Sequence, residues 1–351
     1  MSGNDTGKRD NHASMYEVNI DIANEAKSEM RGILASDDRR VLNKVGAFAS
    51  LYDFSNMPYK NPVLVMKTEE PGSKQLIAAR YDRIEGVCYD MIHHLINDVI
   101  VMGATPLAIQ DAIICGKIDK DKITRIVKAL ADAARGQGCS LTGGETSEQP
   151  GVIPDDTFIL TSSIVAVAEK DELIDGSAIS VGDAVLSLRS SGIHTNGYTL
   201  VRRIMRENPS IMDETIDGRA FIDAVLEPHR CYYQAVKDLF GTGTIAGMAH
   251  ITGGGIKENL DRILPPNVNA EIDLSSYRVP MIFSVLREYG KVSDEEMLRT
   301  FNLGCGLAMV CGQDSVRGLT EHFERQGIEC ALIGSVVPGD GKVITKGSLT
   351  W

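Results

Sequence analysis

The segment TEEPGSK, residues 68–74, sets Gly72, Ser73 and Lys74, residues suited to holding a phosphate, beside Glu69 and Glu70, which repel one. A divalent cation reconciles the two, because carboxylates bind the ion and the ion binds phosphate oxygens. A second cluster follows in YDMIHHLINDVIVMG. Residues four and seven apart share a helical face. Asp90, His94 and Asn97 therefore project together, with Asp98 at their edge. Mg²⁺ takes oxygen ligands, usually one or two carboxylates plus phosphate oxygens. Glu69, Asp98 and Asp90 are candidate ligands, and Lys74 is placed to neutralise the remaining phosphate charge. The same residues admit plainer readings: a surface turn centred on Pro71-Gly72, and a solvated helix face carrying an Asp90–His94 pair. No GxxxxGK[ST] string occurs, so the segment is not a Walker loop.

Three glycine-rich stretches add to this. In SLTGGETSEQPG (140–151), Gly143 and Gly144 precede Glu145. Glycine lets a ligand approach the main chain, although a plain turn with an exposed acid has the same sequence. SSGIHTNGYTL (190–200) offers Ser190, Ser191, Gly192, Thr195 and Asn196 before a helix starting near Gly197. Free N–H groups and the helix dipole favour an anion there. HITGGGIKENL (250–260) repeats the theme with Thr252, Gly253 and Gly254. Two such loops, each flanked by a histidine (His194, His250), favour a phosphorylated ligand. The histidines themselves read as orienting or hydrogen-bonding groups.

The elements that position these groups alternate between strand and helix patterns, which argues for an α/β or α+β chain. PVLVM (62–66) reads as a short buried strand, 90–102 as a helix, and DKDKITRIVKALADAARGQG as an aspartate-capped helix stopped by Gly136 and Gly138. DTFILTSSIVAVAE reads as a strand closing the first half. The polar, turn-rich stretch 170–183 marks a boundary, giving domains 16–173 and 174–351. The polar start, residues 1–15, lacks an apolar signal core and reads as a disordered arm or an expression remnant. The 351 residues carry a net charge of −12, with 43% hydrophobic and 24% charged residues. That composition fits a soluble enzyme and argues against a nucleic-acid binder. No apolar run approaches the ~20 residues of a membrane span. The seven cysteines lack CxxC spacing, which points to reduced thiols in a cytoplasmic protein.

In order and spacing, LINDVIVMGATPL, GCSLTGGETSEQPG, SSGIHTNGYTLVRRI, GMAHITGGGIKENLDRILP, AEIDLSSYRVPMIF and MLRTFNLGCGLAMV resemble the phosphoribosylformylglycinamidine cyclo-ligase (aminoimidazole ribonucleotide synthetase) family. The resemblance runs from about Val18 to about Val336. It implies an N-terminal α/β domain that joins its copy in a homodimer through an intersubunit β-barrel, and a C-terminal α/β domain beside it. It implies ATP-dependent closure of formylglycinamidine ribonucleotide to aminoimidazole ribonucleotide through an iminophosphate, releasing ADP and phosphate. It implies Mg²⁺, and allows a monovalent cation such as K⁺.

By position, the resemblance gives a catalytic set of Lys74, Asp98, His194 and His250. It puts the nucleotide near Arg31, Ser73, Lys74, Asn97, Gly143, Gly144 and Glu145, and the metal on Glu69, Asp90 and Asp98. Substrate contacts fall to Ser191, Gly192, His194, Thr195, Asn196, Thr252, Gly253 and Gly254. The chain departs from the family where Asp-Gly-Val-Gly-Thr-Lys is typical and Glu69–Lys74 stands instead. VGAFASL (45–51) has fewer glycines than the family's GGFGAL, and His93 and His94 stand where small or apolar residues are common. The other functions consistent with these departures are a divergent paralogue, a sibling ATP-dependent synthetase or kinase, and a non-catalytic nucleotide-binding homologue.

Overall fold

The computed structural model describes residues 32–34, 38–42 and 47–351. The arm 1–15, Arg31 and part of the 45–51 stretch lie outside the described residues.

The first half is one four-stranded sheet covered on one face. Its strands are β1 (Pro62–Glu69), β2 (Thr105–Cys115), β3 (Ser140–Glu148) and β4 (Phe158–Glu169), in the order β1-β4-β2-β3. Only the β2–β3 pair is parallel. A short helix α1 (Lys74–Arg80) leads into α2 (Ile84–Ile100), which lies across β1, β4 and β2; α3 (Lys120–Gly136) packs on α2 and β3. As expected, Asp119 caps α3 by accepting the Lys122 N–H, and Gly138 turns the chain away at φ +72°. The expected helix 90–102 begins earlier, at Ile84, and ends at Ile100.

Two sequence expectations are corrected here. PVLVM is not a buried strand: β1 is an edge strand whose outward residues Leu64 and Met66 are 53% and 71% exposed. The inward positions of β1 include Lys67 and Glu69. Glycines 143 and 144 do not form a turn but lie within β3. Gly144 is required there by close approach, since a side chain would meet the Asp111 carbonyl of β2.

The second half is a six-stranded sheet with the order β10-β7-β9-β5-β8-β6. Its strands are β5 (Ala184–Arg189), β6 (Ile245–His250), β7 (Val268–Asp273), β8 (Cys305–Cys311), β9 (Cys330–Pro338) and β10 (Val343–Lys346). All neighbours are antiparallel except β10 and β7. β5 and β8 are buried almost throughout, as central strands covered on both faces must be. The loop after β5 leads into α4 (Tyr198–Glu207), and the loop after β6 into α5 (Gly255–Leu260). The loop after β5 and the end of β6 meet α2, through Thr195 and His250.

Candidate active site

The face of α2 that carries Asp90, His94 and Asn97 is not solvated. The apolar side of the helix meets the first sheet, and its polar side is also buried: Asp90 and Asn97 are 0% exposed and His94 is 7% exposed. The second half of the chain covers them. Lys74, at the first turn of α1, is likewise fully buried. Its ammonium lies 2.9 and 2.8 Å from the two Asp90 oxygens, and it donates to the carbonyls of His194 (3.2 Å) and Glu227 (2.7 Å). Asp90 also accepts the His229 N–H at 2.7 Å. Burial pulls the Lys74 pKa down and pushes Asp90 up to about 6; the pairing opposes both shifts. Asn97 uses both ends of its amide, donating to Arg230 O and accepting from Tyr232 N. Lys74, Asp90 and Asn97, expected from the sequence as phosphate, metal and nucleotide contacts, here fasten α2 and α1 to the second half of the chain.

What they fasten is a set of histidines. His94 comes from α2, His194 from the loop after β5, His229 from the segment before a short helix at Tyr233–Val236, and His250 from the end of β6. Asp98 accepts from His250 Nδ1 at 2.7 Å, and His250 Nε2 lies 2.9 Å from His229 Nε2. His229 Nδ1 lies 3.5 Å from the Thr195 hydroxyl, which is 3.0 Å from His94 Nδ1. His94 Nε2 closes the ring, 3.7 Å from Asp98 Oδ2. His194 stacks on His229 at 3.8 Å, in a left-handed conformation at φ +65° that few non-glycine residues adopt. Its Nε2 accepts the Ser191 N–H, and its buried Nδ1 has no partner among the described residues. Burial holds the His194 and His229 pKa values well below the usual value, and burial, with His250 nearby, takes His94 down to about 4. Burial pushes Asp98 upward, but its hydrogen bond to His250 and the neighbouring His250, His94 and Lys67 outweigh that and hold it below the usual carboxylate range.

At the mouth of this ring, Glu69 and Asp98 converge. Lys67 Nζ sits 3.1 Å from Glu69 Oε2 and 3.1 Å from Asp98 Oδ2, and His94 Nε2 is 3.8 Å from Glu69 Oε2. Glu69 and Asp98 thus meet as the sequence suggested, while Asp90 stands apart from them and Glu70 is exposed. Ser73 precedes α1 without capping it by its side chain.

The glycine motifs are placed differently. Glu69 pairs with Ser162, Ser162 with Asp111, and Asp111 with Gly144. The row crosses three strand spacings, so Gly143, Gly144 and Glu145 lie about 14 Å from Glu69. In the loop after β5, Ser190 and Asn302 are hydrogen-bonded, Asn302 holds the Gly192 and Ile193 carbonyls, and Ser191 donates to Pro228 O. Asn196 lies 3.5 Å from the Thr195 hydroxyl. In the loop after β6, the Thr252 hydroxyl pairs with Asn259, which also holds the Gly253 carbonyl, and the Gly254 N–H donates to Arg299 O.

Sequence reasoning missed Lys67, Asp111 and His229. Asp111 carried a signal, an acid within the apolar run LAIQDAII. It is buried, and burial lifts its pKa to about 7. Lys67 and His229 carried none, because their roles depend on contacts between distant segments.

Two predictions follow from these geometries. Lys74→Met and Asp90→Asn each strand a buried partner, and each is expected to cost about 3–5 kcal/mol of unfolding free energy. The double variant is expected to cost clearly less than the sum, measured by urea unfolding. Asp111 titrates near 7 in the folded chain and near 3.9 when unfolded. Its contribution is greatest below the unfolded value and is lost as pH rises toward 7. Asp111→Asn is therefore expected to flatten that part of the stability profile and to be more stable than the parent at pH 8. A parallel profile in the two proteins would contradict this.

The comparisons agree on the family. The family models "AIR synthase related protein, N-terminal domain" and "C-terminal domain" match residues 51–168 and 180–347. Phosphoribosylformylglycinamidine cyclo-ligase of Bacillus cytotoxicus is 36% identical over 334 residues, 94% of this chain and 96% of that protein. The Geobacillus kaustophilus enzyme of that name is 41% identical over 304 residues, 86% of this chain and 88% of its own. Among solved structures, thiamine-monophosphate kinase from Stenotrophomonas maltophilia K279a superimposes with a TM-score of 0.67 at 16% identity, covering 92% of this chain and 96% of the other. Escherichia coli HypE gives 0.67 at 15%, covering 93% and 94%. Those two speak for the fold alone. By sequence along nearly its whole length, this chain belongs to the phosphoribosylformylglycinamidine cyclo-ligase family.

Proposed function

We propose that the chain closes formylglycinamidine ribonucleotide to aminoimidazole ribonucleotide at the expense of ATP, in purine biosynthesis. The observation that carries this is the match to relatives bearing that enzyme name over 94% of the chain. The site is chemically suited to it. Such a reaction needs phosphates neutralised, a water-poor cleft and a route for a proton. Glu69 and Asp98 fit a divalent cation such as Mg²⁺, since both already converge on the Lys67 ammonium at 3.1 Å. When bound, the ion would supply charge neutralisation for the ATP phosphates. Lys74 and Asp90 orient the loops carrying His194 and His229. The run Asp98–His250–His229–Thr195–His94 can move a proton between named atoms without opening the cleft. Gly143, Gly144 and Glu145, at the far end of the strand row, would take the remainder of the nucleotide. Ser191, Asn196 and the Thr252–Gly254 loop would take the substrate ribose phosphate.

Purified chain incubated with ATP and formylglycinamidine ribonucleotide is expected to yield aminoimidazole ribonucleotide, ADP and phosphate in equal amounts, identified by mass spectrometry. ATP consumption without ring closure would point to a sibling activity, and no nucleotide turnover to a non-catalytic homologue.

The working unit is a homodimer built on the first sheet. One face of that sheet is covered by α2 and α3, while Leu64 and Met66 stand open on the other. An apolar edge strand of this kind needs a cover, and a second copy supplies one by extending both sheets into a shared barrel. We place the enzyme in the cytoplasm because all seven cysteines are free thiols. Leu64→Asp with Met66→Asp is expected to sediment as a monomer while the parent sediments at twice the chain mass. A parent monomer at micromolar concentration would refute the shared barrel.

A further inference from the structure

Each of the two acids at the mouth of the ring spends one oxygen on its own surroundings. Asp98 Oδ1 lies 2.7 Å from His250 Nδ1, and Glu69 Oε1 accepts the Glu70 N–H at 3.1 Å. The other oxygens, Asp98 Oδ2 and Glu69 Oε2, both meet Lys67 Nζ at 3.1 Å. Lys67 and Glu69 stand two residues apart on β1 and so share a face, while Asp98 comes from α2. The ammonium therefore joins strand to helix at the place where both acids are available. A lysine with two carboxylates against it keeps its proton at neutral pH. The contact is open to water, since the Lys67 side chain is 39% exposed. Ion pairs with such access add little to stability, so fastening the fold is a weak reason for gathering three charged groups here.

We propose that the Lys67 ammonium is a tethered cation that holds the Glu69–Asp98 position in the nucleotide-free chain, and that a divalent ion binds there only by displacing it. This rests on Glu69 and Asp98 being the cation-holding pair. An ion bridging the two acids needs Oδ2 and Oε2, the oxygens that the ammonium already takes. Mg²⁺ holds its oxygens at about 2.1 Å. Ion and ammonium cannot share the pair, because two cations so close repel strongly. The arrangement has two effects. Lys67 keeps two like charges converged, so the position is formed before an ion arrives. Free divalent ions, however, compete with a cation attached to the chain and always at high local concentration. An ion arriving together with nucleotide phosphates has the advantage, since the displaced ammonium, on its flexible four-carbon stem, gains phosphate oxygens as new partners. The cation thus enters with the nucleotide and not ahead of it.

The test is ion binding by the full chain without nucleotide or turnover, so its failure leaves ring closure untouched and failure of ring closure leaves it standing. Protein stripped with EDTA is titrated with Mn²⁺, an ion suited to carboxylates, and the free ion is read by electron paramagnetic resonance. Lys67→Met is expected to bind Mn²⁺ about tenfold or more tighter than the parent. Lys67→Arg, which keeps the charge, is expected to stay weak, and adding Asp98→Asn to Lys67→Met to abolish the gain. The gain is expected to persist in about 0.5 M KCl, where the influence of distant charges is screened. Equal affinity of the parent and Lys67→Met overturns the proposal, and so does a gain confined to low salt. A gain that survives Asp98→Asn puts the ion elsewhere and overturns the cation-holding pair as well. Should Lys67→Met lack the parent's near-ultraviolet circular dichroism, the parent itself decides. Acetylation of Lys67 by acetic anhydride, located by mass spectrometry, is expected to quicken when Mn²⁺ alone saturates the chain, as the ammonium leaves the acids. An unchanged rate overturns the displacement.

Discussion

The buried contact between Lys74 and Asp90 is the constraint on which the site depends. A charge with no access to water is tolerated only when its partners are close and complete. Lys74 meets that demand with one carboxylate from α2 and two backbone carbonyls from the other half of the chain. Moving either half away would strand an ammonium and a carboxylate in an apolar interior. The pair therefore fixes the spacing between α2 and the segments bearing His194 and His229, and with it the distances within the histidine ring. Asn97 repeats the device two turns further along the helix, with a neutral amide in place of the ion pair.

Order in the ring comes from donors and acceptors, not from packing. The run of polar contacts goes from Asp98 through His250, His229 and Thr195 to His94, whose Nε2 returns to 3.7 Å from Asp98. Burial supports this arrangement by holding His94, His194 and His229 below their ordinary pKa. The Glu69–Ser162–Asp111–Gly144 row connects the mouth of the ring to β3, so the sheet fixes the separation between the acid end and the glycine end.

Much of the fold was legible in the sequence because it was written in local terms. The cap at Asp119, the stop at Gly138, the strand 158–169 and the loop-to-helix steps after β5 and β6 each depend on neighbours within a few residues. The convergence of Glu69 with Asp98 was also legible, since a carboxylate beside a phosphate-like loop calls for a cation. The internal contacts of Lys74, Asp90 and Asn97 were not legible for one reason. Helical spacing places polar groups on a common face but says nothing of what covers that face. Here the second half of the chain covers it, and residues that looked free for ligands were already engaged. The exposure of Leu64 and Met66 was hidden by the same limit, because a short apolar run reads alike whether it lies inside a subunit or against another.

The alternation along β1 has a consequence for inheritance. Positions 64 and 66 face outward to the open side of the sheet, and 67 and 69 face inward to the acids and the helix. The strand is a two-sided text read with a period of two. A gained or lost codon within it would exchange the sides, burying Leu64 and Met66 against α2 and turning Glu69 outward. Substitutions in β1 can alter assembly or cation chemistry one side at a time, whereas a change of length alters both at once. The strand's length is therefore bound more tightly than its composition.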